Sequence, residues 1–218
     1  MKTISKEVQE KLTPRQAIEL LKKGNARFVD KRMYERDLLS QVSQTSSGQY
    51  PFAVVLSCID SRVPAEIVFD QGVGDIFSCR VAGNIINEDV LGSMEFACKL
   101  AGSKVIVVLG HTNCGAVKGA CDGAELGNLT ALLRKLKPAV EAETTHKTER
   151  NSANNDFVDK VADINVHRIV AQIQEKSPVL KEMLDIGDIG LIGGMYNVET
   201  GIIDMYDDTL ICYDGPVA

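Results

Sequence analysis

Two uninterrupted apolar runs constrain this chain more than any other feature. One is 52–56 (Phe-Ala-Val-Val-Leu); the other is Val105-Ile106-Val107-Val108-Leu109, within the strand candidate 104–109 that opens on Lys104. A strand with one wet face alternates apolar and polar residues, whereas a strand that is apolar throughout must be covered on both faces. Weaker strand candidates lie at 76–81, 186–195 and 201–206, the last after the turn-like Asn197-Val198-Glu199-Thr200. Helical patterns fall between them at 89–100, 115–121, 129–140 and, most clearly, 157–174, where Phe157, Val161, Ile164, Ile169 and Ile173 share one broad face. Strands alternating with helices predict an α/β fold with a mainly parallel central β-sheet flanked by helices.

At 218 residues the chain is long for one average domain and short for two, so a single domain is expected. It reads as an N-terminal helical arm over 1–35 and an α/β core over 36–218. In the arm, Thr13 precedes Pro14 as a helix cap, and Ala17, Leu20, Leu21 and Phe28 recur at helical spacing, with Gly24 weakening the middle. Residues 40–49, rich in Ser, Gln, Thr and Gly, read as a loop, and 141–156 as an exposed polar excursion.

The 24 basic and 30 acidic residues leave a net charge of −6, with an acidic end at Asp204, Asp207, Asp208 and Asp214. A chain with no basic cluster is a poor partner for nucleic acid. No apolar run approaches the ~20 residues that span a bilayer, and 1–13 is charged and lacks the apolar segment of a signal peptide. A cytoplasmic protein with no membrane partner is expected. In that compartment the six cysteines point to metal binding or burial rather than disulfides.

Chemistry concentrates in two segments. Cys58-Ile59-Asp60-Ser61-Arg62 follows the first buried run, and His111-Thr112-Asn113-Cys114-Gly115 follows the second. In open α/β sheets ligands bind beyond the carboxyl ends of the strands, so both segments can face one crevice. Cys58 and Asp60, two apart on a strand, would point to one side. His111 and Cys114 would meet across a strand-to-helix turn, with Cys114 near a helix start that favours its thiolate. Two sulfurs and an imidazole suit zinc, and the fourth place stays open if Arg62 clamps Asp60 away from the metal. Singly, each feature is ordinary. A lone Cys is usually a small buried hydrophobe, which is the expectation for Cys79, Cys98, Cys121 and Cys212. His146 and His167 read as surface or hydrogen-bonded histidines. The signal is the combination of two half-sites after two core strands.

These residues resemble the β-class carbonic anhydrases, which carry C-x-D-S-R and, about fifty residues on, H-x-x-C; His111 lies 53 positions after Cys58. The likeness extends to Gly24-Asn25-Ala26-Arg27-Phe28, Arg80-Val81-Ala82-Gly83-Asn84, the stretch 111–119 and Tyr196 to Gly201. It implies one zinc ion per chain on Cys58, His111 and Cys114. Asp60 and Arg62 become the catalytic pair, with Asp60 a fourth ligand only in a closed state. Gln49, Phe77, Ala82, Phe96 and Gly115 become the substrate pocket. Phe96 stands where plant-type members have a tyrosine. Val55 takes the place of the tryptophan that, with an arginine matched here by Arg80, builds an inhibitory bicarbonate pocket in some bacterial relatives, which implies the open type.

The implied activity is reversible hydration of carbon dioxide to bicarbonate and a proton by a zinc-bound hydroxide. In the three-histidine carbonic anhydrases the bound water titrates near 7. Two thiolates cancel the zinc charge, so activity is expected to rise towards alkaline pH. Family members build the site between subunits, which implies a homodimer or a larger even-numbered homo-oligomer, with 14–28 packing on the partner. The alternatives are a carbonyl sulfide or carbon disulfide hydrolase of the same fold and a non-catalytic zinc protein closed by Asp60. A thiol redox protein is disfavoured because no C-x-x-C is present.

Overall fold

The computed structural model describes residues 3–212; of the acidic end, Asp214 lies outside them, as do residues 1–2 of the arm. Five strands make one sheet: β1 (Ala53–Ser57), β2 (Ile76–Arg80), β3 (Val105–His111), β4 (Gly190–Tyr196) and β5 (Ile203–Ile211). Their spatial order is β2-β1-β3-β4-β5. The first four are parallel and β5 returns antiparallel to β4. The helices in chain order are α1 (Lys6–Lys11), α2 (Pro14–Val29), α3 (Leu38–Thr45), α4 (Ala65–Val68), α5 (Glu88–Glu95), α6 (Gly115–Cys121), α7 (Gly127–Arg134), α8 (Lys137–Ala142), α9 (Asn155–Lys176) and α10 (Pro178–Asp185).

The unbroken apolar runs are explained by what covers the sheet. Val55 and Val107 point to one face, against Ala17, Ile18 and Leu21 of α2. Val54, Leu56, Ile106 and Val108 point to the other, against Val166, Ile169, Val170 and Ile173 of α9 and Leu180 of α10. A third cluster beyond the strands' carboxyl ends joins Cys58 and Cys114 to Val117, Leu133, Leu136, Phe157 and Val161. Each fully buried Val, Leu or Ile there contributes about 1.5–3 kcal/mol of transfer free energy.

Several expectations need correction. Residues 40–49 are not all loop, because α3 occupies most of that stretch. Asp37 caps it by accepting from the Ser40 N–H at 3.0 Å. Its buried Gln41 accepts from the Val73 N–H at 3.1 Å, a tertiary contact that composition does not reveal. Residues 186–189 finish and follow α10 before β4 begins at Gly190, and β5 runs to Ile211 rather than stopping at 206. The pattern over 129–140 belongs to two helices, α7 and α8. The 89–100 pattern is α5 followed by a widened turn, Phe96–Leu100.

The stretch 141–156 is not simply exposed, since Glu143 within it is buried. The apolar face of α2, with Ala17, Ile18 and Leu21, lies on this chain's own sheet. Gly24 marks that docking: a Cβ there would come within 1.8 Å of the Phe69 carbonyl oxygen. Beside it Asn25 donates to the Val68 and Gly201 carbonyls at 3.0 and 2.9 Å and accepts from the Ile203 N–H at 2.9 Å.

Candidate metal centre

β1 and β3 pair in parallel with Ser57 opposite Leu109, so both strands end at one edge of the sheet. Cys58 is the first residue beyond β1 and His111 the last of β3. Cys114 is the cap of α6, after a turn in which Asn113 takes φ of 57°. The ligand-type atoms of Cys58, His111 and Cys114 lie within 4.8 Å of one another, and all three residues are buried. Among the described residues no other trio of His, Cys, Asp or Glu converges in this way.

Hydrogen bonding prepares the trio for a cation. His111 Nδ1 lies 2.9 Å from the Thr112 carbonyl oxygen. A carbonyl only accepts, so Nδ1 holds the proton and Nε2 presents its lone pair. That Nε2 is buried without a hydrogen-bond partner, a rare and costly condition for a polar atom. The carbonyl-bound imidazole is the orientation device of metal-ligating histidines. Cys58 Sγ accepts from the Gly83 N–H at 3.4 Å. The neighbouring Cys114 thiol pulls the Cys58 thiol well down, overcoming burial, with help from His111, Gly83 and Asp60. The same contact, together with burial, pushes Cys114 up. Two sulfurs sharing negative charge beside an orphaned imidazole nitrogen fit a soft divalent ion such as zinc.

Asp60 stands just outside the trio, its Oδ2 3.9 Å from His111 Nε2. Strand periodicity does not bring it there, because β1 ends at Ser57. A turn does. Arg62 donates from Nε to Asp60 Oδ1 at 2.9 Å, from Nη2 to Oδ2 at 2.8 Å and from its backbone N–H to Oδ1 at 3.0 Å. This clamp holds the Asp60 carboxyl well below the usual carboxylate range. Arg80 secures the backbone of the same turn, donating to the Cys58 and Asp60 carbonyls at 3.0 and 2.6 Å.

The pocket residues divide. Gly115 follows Cys114 directly and has open space where a Cβ would stand. Ala82 adjoins Gly83, which touches Cys58. Phe77 instead lies opposite Val54 on β2, short of the strand end. Its ring packs edge-on against Phe96 at 6.2 Å, in a groove lined also by Cys79, Glu88 and Ser93. Gln49 is exposed and precedes the amino end of β1, whereas the trio sits at the carboxyl end. The chain therefore does not bring Gln49, Phe77 and Phe96 to its own centre. His146 and His167 are hydrogen-bonded, to Glu143 and Asp156 and to Asp163 and Asp208 respectively. Cys98 is buried, while Cys79, Cys121 and Cys212 are only partly so.

Sequence reasoning missed two residues of α9. Asp159 accepts from the Asn113 N–H at 2.7 Å, and Asn165 donates to the Gly83 carbonyl at 3.0 Å. Gly83 takes φ of 69°, and a Cβ there would press within 2.8 Å of Leu136. The R-x-x-G-N signature held a clue to Gly83, but no spacing pattern announces Asp159.

A largely parallel α/β sheet carrying two thiols, an imidazole and a clamped carboxylate at its carboxyl edge defines an α/β protein with a candidate metal centre. The carbonic anhydrase family model matches residues 53–203. A carbonic anhydrase of Mycolicibacterium smegmatis is 36% identical, over 88% of this chain and 93% of its own length. Carbonic anhydrase 2 of Mycobacterium tuberculosis is 35% identical over 86% and 90%. A structure from Sordaria macrospora, described as one of two tetrameric β-carbonic anhydrases, superposes with a TM-score of 0.64 at 25% identity, covering 77% of this chain and 90% of that one. The chain belongs to the carbonic anhydrase family, in its β class.

Proposed function

We propose that this protein hydrates carbon dioxide reversibly to bicarbonate and a proton, with one zinc ion per chain held by Cys58, His111 and Cys114. The observation that carries this reading is the buried, unpartnered His111 Nε2 facing two sulfurs beside a carboxylate already committed to arginine. When bound, zinc supplies the Lewis acidity that makes a water molecule nucleophilic near neutral pH.

The chain's own residues do the rest. Asp60, kept ionised by Arg62, accepts a hydrogen bond from the reacting water and aims its oxygen at the carbon of carbon dioxide. The new C–O bond gives bicarbonate, and the proton passes to solvent. Arg62 also donates to the Asn113 carbonyl at 3.3 Å, which ties the clamp to the second half-site and keeps Asp60 off the metal, the open arrangement. Ala82 and Gly115 leave room for the substrate. Family membership favours carbon dioxide over carbonyl sulfide or carbon disulfide, and the Arg62 clamp disfavours a permanently closed, non-catalytic site.

The position of Gln49, Phe77 and Phe96 away from the chain's own centre supports a homodimer or larger even-numbered assembly in which they serve a neighbour's pocket. Phe96 and Leu100 are 53% and 76% exposed beside edge strand β2. No helix among the described residues is long and apolar enough to cross a membrane. The test is zinc analysis coupled to stopped-flow hydration. We expect about one zinc per active chain and loss of both zinc and activity in Cys58→Ser. An active wild type devoid of zinc overturns the reading.

A further inference from the structure

We propose that Asp159 is a positioning residue that sets the geometry of both halves of the centre through the backbone of Asn113. Asn113 links the two ligand-bearing elements. It lies between His111 and Cys114, in a left-handed conformation (φ 57°) that asparagine adopts more readily than most other non-glycine residues. Its main chain is held from outside the turn on both its N–H and its carbonyl. The carboxylate of Asp159, on the first turns of α9, accepts the Asn113 N–H at 2.7 Å. The carbonyl of the same residue accepts from Arg62 Nη2 at 3.3 Å, and Arg62 holds both oxygens of Asp60. A chain of contacts thus runs from α9 through one residue's main chain to the clamp.

α9 reaches the other half-site as well. Asn165 donates to the Gly83 carbonyl at 3.0 Å, and the Gly83 N–H donates to Cys58 Sγ at 3.4 Å. The longest helix of the described residues, packed along β3 and β4 by its apolar face, therefore fixes the two loops relative to each other. Asp159 touches no ligand atom in this chain of contacts. Its action is on the shape of the 111–114 turn and on where Arg62 rests. Without it the turn relaxes, the histidine and cysteine hold a metal less well, and Asp60 loses its set direction.

This inference rests on the zinc reading above, and the experiment separates the two. Zinc-loaded wild type, Asp159→Ala and Asp159→Asn are compared for zinc release to a chromophoric chelator, for kcat and KM of carbon dioxide hydration, and for melting temperature. The carboxamide of Asp159→Asn keeps an oxygen acceptor, so that variant separates geometry from charge. Expected for Asp159→Ala is zinc release faster by about tenfold, in the range found when groups supporting metal ligands are removed, and a kcat lowered by about as much, with KM changed less than about twofold. Asp159→Asn recovers most of both. If the alanine variant does not fold, Asp159→Ser takes its place with the same expectations. Wild-type zinc release and kcat in Asp159→Ala overturn the proposal, as does an asparagine variant as impaired as the alanine one. A wild type that binds no zinc sinks the underlying reading instead.

Discussion

Two of the buried polar knots among the described residues are built on opposite principles. Around Glu143 every group finds its match. One carboxylate oxygen accepts from the Thr145 backbone and hydroxyl and from the His146 N–H, while the other accepts from Arg150 Nη1 at 2.6 Å. Arg150 also donates to the Val140 carbonyl at 2.6 Å and lies 4.8 Å over the Phe157 ring. Around Cys58, His111 and Cys114 the sulfurs crowd together and an imidazole nitrogen is left without a partner. Both knots are buried, and both bend a carboxylate downwards. What separates these two knots is not charge or burial but hydrogen-bonding capacity left unspent at His111 Nε2, beside two sulfurs.

That contrast predicts different consequences for similar substitutions, and the largest concerns His111 and Arg150. His111→Ala removes a ligand whose Nε2 bonds to nothing in the protein. It should abolish zinc retention and lower kcat/KM by at least about 10³-fold, leaving little beyond the uncatalysed reaction. Arg150→Ala should keep one zinc per folded chain but strand the Glu143 carboxylate in the interior. A broken buried pair costs about 3 kcal/mol, or roughly 6–12 °C in melting temperature for a domain of this size. Metal analysis and calorimetry on both variants read the contrast directly. Arg150→Ala losing zinc while melting normally would reverse it.

Arg62→Ala gives a smaller effect and a sharper one. The Arg62 side chain is 45% exposed, so its ion pair with Asp60 contributes under about 1 kcal/mol to folding. Its weight falls on the reaction instead. Zinc should remain bound, and hydration at neutral pH should fall by about tenfold or more as Asp60 turns towards the metal. Unchanged activity would remove the pair from the mechanism and leave it a surface contact.

The parts of this design that were legible in the sequence are those written in local pattern. The double-faced strands β1 and β3 show as unbroken apolar runs because both faces are covered. The ligands show because each stands at a fixed offset from such a run. What pairs through the main chain left no pattern. The roles of Arg80 on the Cys58 and Asp60 carbonyls and of Asp159 on the Asn113 N–H could not be read, because a backbone partner has no identity in a sequence. α3 was hidden for a related reason. Its Ser, Gln and Thr content suits a loop, and a tertiary bond from the Val73 N–H to Gln41 helps hold it in place. α10 was readable in retrospect from Ser177 as cap and Pro178 as first helical residue. Gln49 stands at the opposite end of β1 from its own trio, a matter of topology that position along the sequence does not state.

The finest test of the comparison is in acid. Burial pushes the Glu143 carboxyl up, but hydrogen bonds from Thr145 and His146 outweigh it and hold the group at about 2, against an ordinary 4.5. A carboxylate depressed in the folded state stabilises fully above its unfolded value, and that stability drains away as pH falls towards the folded one. The window for Glu143 is therefore pH 4.5 down to 2. Acid also protonates the metal ligands and releases zinc, which steepens the stability curve of any variant of this protein. Glu143→Gln cannot titrate at 143 but keeps the whole centre, so subtracting its curve from that of the wild type cancels the zinc contribution. Urea unfolding at a series of pH values should leave a difference that is flat above about pH 5 and declines below it by at most one proton's worth, roughly 1.4 kcal/mol per pH unit. A difference that stays flat down to pH 2 would mean that Glu143 is no more committed to its neighbours than a surface carboxylate, and the knot would lose its standing as the satisfied counterpart of the metal centre.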